Sequence, residues 1–240
     1  MNHIYHKADS RGCADHGWLI SRHSFSFADY HDPKRMGFGL LRVINDDIVH
    51  PGMGFGAHPH ADMEIISIPL SGALRHQDSM GNEHVISAGE VQVMSAGSGI
   101  THSEYNDSDQ NDVNFLQIWI YPKEKNIEPR YGQRGFDRTG RQNCFQTLIS
   151  PDERAEAIWI NQDARLSLAD LDAGTAINYQ KQQSDCGLYF FVIAGQIEIE
   201  GLQLNSRDGL GLTECSDVSI VATSQAELLC IEVPMHLVEE

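Results

Sequence analysis

Histidine is missing from most of the second half of this chain. Of the twelve in its 240 residues, eleven lie at or before position 102 and none falls between 103 and 235. A gap of that length is not a property of overall composition, and it assigns any histidine chemistry to the first half. Basic side chains are scarce as well: 17 Lys and Arg stand against 34 Asp and Glu, a net charge of −17. A phosphate backbone is gripped by clustered Lys and Arg that outweigh acidic neighbours, so direct DNA binding is not expected, while a protein partner is permitted. No apolar run approaches the roughly 18 residues of a membrane span, and the opening segment lacks the apolar stretch of a secretory signal. The five cysteines, Cys13, Cys144, Cys186, Cys215 and Cys230, are odd in number and form no Cys-x-x-Cys pair. They read as reduced thiols in a cytoplasmic protein.

Long amphipathic helical patterns are also rare. Short apolar runs punctuated by Gly, Asp, Asn and Pro take their place, the rhythm of an all-β sandwich or barrel. Strands are expected at 40–44, 64–70, 91–95, 115–121, 188–193, 196–200 and 228–233. The segment from Gly195 to Gly201 alternates apolar and polar residues between two glycines, as a half-buried strand does. An internal repeat is visible: Pro69-Leu-Ser-Gly72 with Ala88-Gly89-Glu90 is echoed by Val192-Ile-Ala-Gly195 with Asp208-Gly209. Both copies close on apolar strands ending at Pro122 and Pro234. Two copies of one β-module explain this most economically. Between them, residues 122–150 carry six basic residues (Lys123, Lys125, Arg130, Arg134, Arg138, Arg141) and read as a solvated connection. Ser150-Pro-Asp-Glu153 has the pattern of a helix start.

Two glycine-rich segments stand out in the histidine-rich half. One contains His58-Pro-His60 and the other His102-Ser-Glu104. On a strand, side chains at i and i+2 share a face, so each pair can converge on one point. Two such strands facing one another would set three imidazoles and a carboxylate around one ion. That mixed N/O donor set suits a first-row transition metal and fits Mg(II) or Ca(II) poorly. Glu64, four residues beyond His60, would share its face on a regular strand and is a competing carboxylate. Met53, Phe55, Met63 and Met94 are expected to line the interior. His3, His6, His16, His31, His50, His76, His84 and His236 read as surface or hydrogen-bonded core residues.

Gly52-x5-His58-x-His60-x3-Glu64-x7-Gly72, followed by Gly89-x5-Ser-x-Gly97-x4-His102-x3-Asn106, resembles the paired motifs of cupins. Ser95 stands where a proline is common. More narrowly, Gly17-Trp-Leu, His23-Ser-Phe-Ser-Phe27, the run Gly37 to Asp47, His58-Pro-His60, Gln77 to Gly81 and Met94 through Glu104 resemble pirins and bacterial pirin-like quercetinases. The resemblance is dense over 13–135 and thins afterwards. It implies a bicupin, two facing β-barrels, with one metal in an N-terminal barrel (1–135) and none in a C-terminal barrel (136–240). It also implies His58, His60, His102 and Glu104 as the metal ligands, leaving Glu64 outside the first set. In the second half the stretches matched to the ligand segments contain Lys181, Gln183, Ala222 and Ser224. The implied metal is Fe(II) first, with Ni, Mn, Cu, Co or Zn admitted by the same donors. The implied activity is cleavage of a flavonol such as quercetin by O2, with Glu104 also accepting the substrate's hydroxyl proton. The alternative is a non-catalytic, redox-sensing metal protein that binds a protein partner.

Overall fold

The structure, a computed structural model, describes residues 2–236. Two seven-stranded and two four-stranded sheets account for all twenty-two strands among them, and the helical segments are the single 3-10 turns Ala8–Ser10 and Arg138–Arg141. Every strand expected from the sequence forms, most extended by a few residues: Leu41–Val49, Glu64–Ser71, Glu90–Ser95, Val113–Ile120, Cys186–Ala194, Gln196–Ile199 and Ala226–Pro234.

Each barrel pairs one large sheet with one small one, and the two large sheets pack face to face. The reason lies in the period of two. Ile44, Ile66, Ile68, Leu116, Ile118 and Ile120 of the first large sheet meet Leu166, Leu168, Phe191, Leu229, Ile231 and Val233 of the second in one buried cluster. The intervening residues point the other way, into each barrel. Burying such an Ile or Leu fully contributes roughly 1.5–3 kcal/mol relative to exposure, so the joint between barrels is a core and not a docking contact. Being covered on both faces also explains why these strands read as nearly continuous apolar runs.

The repeat has a structural counterpart down to its irregularities. Val113–Ile120 crosses Glu64–Ser71 with a register shift between Asn114 and Phe115, and Ala226–Pro234 crosses Cys186–Ala194 with a shift at the equivalent place. Gly72 and Gly195 each turn the chain from the large sheet to the small one at φ +74° and +81°. A side chain at either would press on the backbone of a neighbouring strand.

Four expectations change. The first strand, Asn2–His6, pairs with Gly209–Thr213 of the second barrel, so the opening residues of the 1–135 unit belong to the other sheet. The stretch after Pro122 is not merely a solvated connection. Arg130–Gly135 extends the first large sheet along Glu90–Ser95, and Arg138 and Arg141 bond the carboxylates of Asp170 and Glu227 at 2.6–3.2 Å. Ser150 does accept the Asp152 amide at 3.1 Å as a cap would, but the chain then turns and no helix follows. Met53 is exposed, and Met63 and Met94 pack with Ile65, Ala96 and Ile100. Of the four residues expected to line the interior, Phe55 does so.

Candidate metal centre

Gly54–His60 and Ile100–Asn106 are antiparallel neighbours in the first small sheet, with His102 directly opposite His58. The ladder then slips: Glu104 pairs with Phe55, so Gly54–His60 carries one residue too many between the two pairs. Such a bulge re-aims side chains locally. The three imidazoles close into a triangle, with ring centroids 4.8 Å (His58 to His60), 4.5 Å (His58 to His102) and 5.0 Å (His60 to His102) apart. A ligand nitrogen from each lies within 4.8 Å of the other two.

Their protonation suits an ion. The Gly56 carbonyl can only accept, so His58 donates to it from Nδ1 at 2.7 Å, which makes Nε2 the nitrogen that would meet an ion. Burial, reinforced by the neighbouring imidazoles, pushes His60 down to about 4 and His102 down to about 3. Both are neutral at pH 7, the state a metal needs. Both nitrogens of His102 are buried and lack a hydrogen-bond partner. A buried polar atom left unpaired costs on the order of 1–3 kcal/mol, and an ion in the triangle would relieve one of them. The donor set therefore fits a divalent transition metal.

Glu104 is held from two sides. Ser67 Oγ donates to Oε1 at 2.9 Å and Gln117 Nε2 to Oε2 at 2.8 Å. Within 4.8 Å its carboxylate groups with His102 and also with His76, which the sequence reading set aside as an ordinary histidine. His76 lies opposite Glu104 in the register, fully buried, with Nε2 3.1 Å from Asp78 Oδ2. Asp78 also accepts from Asn82 and Met80, and these bonds outweigh burial and hold it below the ordinary carboxylate range. The signal that could have found this pair is the same one that found the ligands, His76-Gln77-Asp78 at i and i+2. His16, also read as an ordinary histidine, lines the cavity beside the triangle, and His76 does not.

Glu64 joins neither group. His60 ends one strand, the chain turns at Asp62 with φ +46°, and Glu64 begins a strand in the opposite sheet. There it faces the second barrel, accepting from Ser95 Oγ at 2.7 Å and the Asn161 amide at 3.2 Å, and burial pushes its carboxyl up to about 7.

Beside the triangle opens a cavity of about 430 Å³, within the usual range for small-molecule sites. Its walls carry Trp18 against Phe55 (5.4 Å) and Phe27 against Trp119 (5.3 Å), the latter also 5.1 Å from His60. The second barrel also has a cavity, of about 550 Å³ and lined by Thr147, Arg165, Ser167 and Tyr179, but among the described residues no group of metal-ligating side chains lines it. Counting along the registers from Gly72 and Gly195, His58, His102, Glu104 and His76 correspond to Tyr179, Val218, Ile220 and Ile199. Ser67 and Gln117 correspond to Phe190 and Cys230. These six form part of one apolar cluster. Gln183 and Ser224 are thus not counterparts of ligands, Ala222 matches Asn106, and Lys181, whose amide bonds the Ser216 carbonyl, stands at the place of His60.

Known proteins resemble this chain over nearly its whole length. The Pirin family model matches residues 6–120, and the model described as the quercetinase C-terminal cupin domain matches 147–233. The chain is 44% identical to the quercetin 2,3-dioxygenase of Escherichia coli strain K12, over 95% of its own length and 97% of that protein's. It is 44% identical to a pirin-like protein of Caulobacter vibrioides, over 93% and 96%. The crystal structure of the bacterial pirin YhhW from Escherichia coli in complex with nickel(II) superposes with a TM-score of 0.92 at 43% identity, covering 97% of this chain and 99% of that one. With both barrels matched and the identity spread over nearly the whole length, this chain belongs to the pirin family, built as two cupin domains.

Proposed function

We propose that this protein is a metal-dependent dioxygenase that cleaves flavonols such as quercetin with O2, holding its ion on His58, His60, His102 and Glu104. The observation that carries the reading is the convergence of three imidazoles beside an aromatic cavity, with a buried carboxylate next to His102. Relatives named quercetin 2,3-dioxygenase support it, and a nickel(II) complex of a similar pirin supports a divalent ion there. Fe(II) is the first choice, and Ni, Mn, Cu, Co or Zn suit the same donors. When bound, the ion supplies a Lewis acid for the flavonol's deprotonated oxygen and a means of activating O2.

The chain's own residues do the rest. His58 is oriented by its bond to Gly56, so no reorganisation is needed on binding. Ser67 and Gln117 hold Glu104 while leaving lone pairs on both oxygens to take the substrate's hydroxyl proton. Trp18, Phe27, Phe55 and Trp119 offer ring faces and edges to a flat aromatic substrate and exclude water from it. The products of such a cleavage are a depside and carbon monoxide, and both oxygen atoms of O2 stay with the organic products.

Metal analysis of Glu104→Gln and His102→Ala beside the wild type, paired with loss of flavonol absorbance in air, tests this reading. Both variants are expected to lose bound metal and activity together. Undiminished metal content and activity in Glu104→Gln would remove the carboxylate from the ligand set. Metal-dependent capture of a protein, with no oxygen consumed on any flavonol, would favour the regulator instead.

A further inference from the structure

One row of polar side chains runs across the interior face of the first large sheet. The register places Gln92, Ser67, Gln117, Asn45 and His23 side by side on five successive strands. Cross-strand neighbours of this kind stand about 4.5–5.5 Å apart. In the second barrel the matching row is Leu210, Phe190, Cys230, Ser167 and Thr147, so polarity at Gln92, Ser67 and Gln117 is not a requirement of the fold, while the small polar pair Ser167 and Thr147 is bonded to itself at 3.4 Å. Ser67 and Gln117 in the middle of the row are occupied in holding Glu104. Asn45 and His23, further along, line the cavity, and each is only 2% exposed. Asn45 Oδ1 and His23 Nδ1 have no hydrogen-bond partner. Next to them Asp47 and Ser21, bonded to one another, line the same wall two residues along each strand.

An apolar cavity with unspent polar atoms on one wall is built for a ligand that is flat and carries hydroxyls away from its reacting end. A hydroxyl both donates and accepts, which suits an amide oxygen, a ring nitrogen and a carboxyl grouped together. We infer that Asn45, with His23 and Asp47, forms a second recognition wall that selects polyhydroxylated aromatic substrates by hydrogen-bonding ring hydroxyls beyond the chelating pair. The inference rests on the reading of the cavity as a flavonol site and adds to it the part of the substrate that is read.

Leaving Asn45 Oδ1 unpaired against a substrate lacking the hydroxyl costs what any buried unsatisfied acceptor costs, which converts to about tenfold in affinity. Nickel-loaded protein under anaerobic conditions separates recognition from turnover. Quenching of Trp18 and Trp119 emission would report Kd for quercetin and for 3-hydroxyflavone, which keeps the chelating pair and has no other hydroxyl. The wild type is expected to prefer quercetin about tenfold or more. In Asn45→Val that preference is expected to collapse through weaker quercetin binding, with 3-hydroxyflavone held as before. Asn45→Ser is expected to keep part of it, and serves if the valine variant does not fold. Equal affinities in the wild type, a preference that survives both substitutions, or no binding of either flavonol would overturn the inference. A preference that behaves as stated without turnover in air would uphold the wall and sink the dioxygenase reading.

Discussion

Asp47 is a carboxylic acid almost wholly removed from water, and its surroundings set its charge. Burial pushes it up to about 7, the hydrogen bond from Ser21 works against that, and the nearby charges of Asp46 and Glu104 add to it. A carboxyl raised in the folded state contributes stability that is complete below about pH 4 and is lost as pH rises through 7. In protein stripped of metal by a chelator, Asp47→Asn is therefore expected to gain about 2 kcal/mol over the wild type at pH 8 and little at pH 4. In thermal unfolding that is a rise in Tm of about 4–8 °C at the higher pH only. An equal change at both pH values would contradict the assignment. His60 and His102 work in the opposite direction. Their lowered values give stability that is present above about pH 6.5 and lost as pH falls toward 4. At this scale the histidines and Glu104 are legible in the sequence because partners two apart share a strand face. His76, Ser67 and Gln117 are not, because their contacts with Glu104 arise from strands that are far apart in the chain and meet through pairing.

Among elements, the most informative are the places where regular geometry is interrupted. The bulge in Gly54–His60 and the break at Asp62 decide which carboxylate stands beside His102, and neither follows from spacing alone. A regular strand would have brought Glu64 to His60. The turns at Gly72 and Gly195 are legible because both need a positive φ and both sit at the same point of the repeat. They differ in room: a Cβ at Gly195 would stand 2.0 Å from the Gln225 carbonyl oxygen, while one at Gly72 would stand 3.2 Å from that of Asp112. Gly72→Ala is expected to cost about 1–2 kcal/mol and Gly195→Ala distinctly more in denaturant unfolding. The reverse order would mean that the backbone at 225 yields more readily than its packing implies. The crossing of Asn2–His6 into the second barrel was hidden for a different reason, since a short half-exposed strand carries no mark of the sheet it will join. Within the second barrel it is tied by Tyr5 Oη to Asp208 at 2.6 Å and by His6 Nδ1 with Tyr189 Oη at 2.9 Å.

Taken as a whole molecule, two barrels of one topology have been filled in opposite ways. The second spends its interior on Tyr179, Phe190, Val218, Ile220 and their neighbours, and is stabilised as any core is. The first gives up part of that burial to a cavity, a polar row and three histidines with unsatisfied nitrogens, a cost that a bound ion and a substrate would offset. The absence of histidine between 103 and 235 is the sequence-level trace of this division. The net charge, −8 through residue 120 and −9 beyond it, carries no such trace. The claim that the first barrel is a dioxygenase centre is tested most directly by loading the protein with Fe(II) or Ni(II) without oxygen, adding quercetin, admitting air, and measuring oxygen uptake with carbon monoxide release. The expected result is one O2 consumed and one CO released for each flavonol lost, abolished in His102→Ala. Loss of flavonol with no carbon monoxide, or no oxygen uptake with any of the metals, would contradict it.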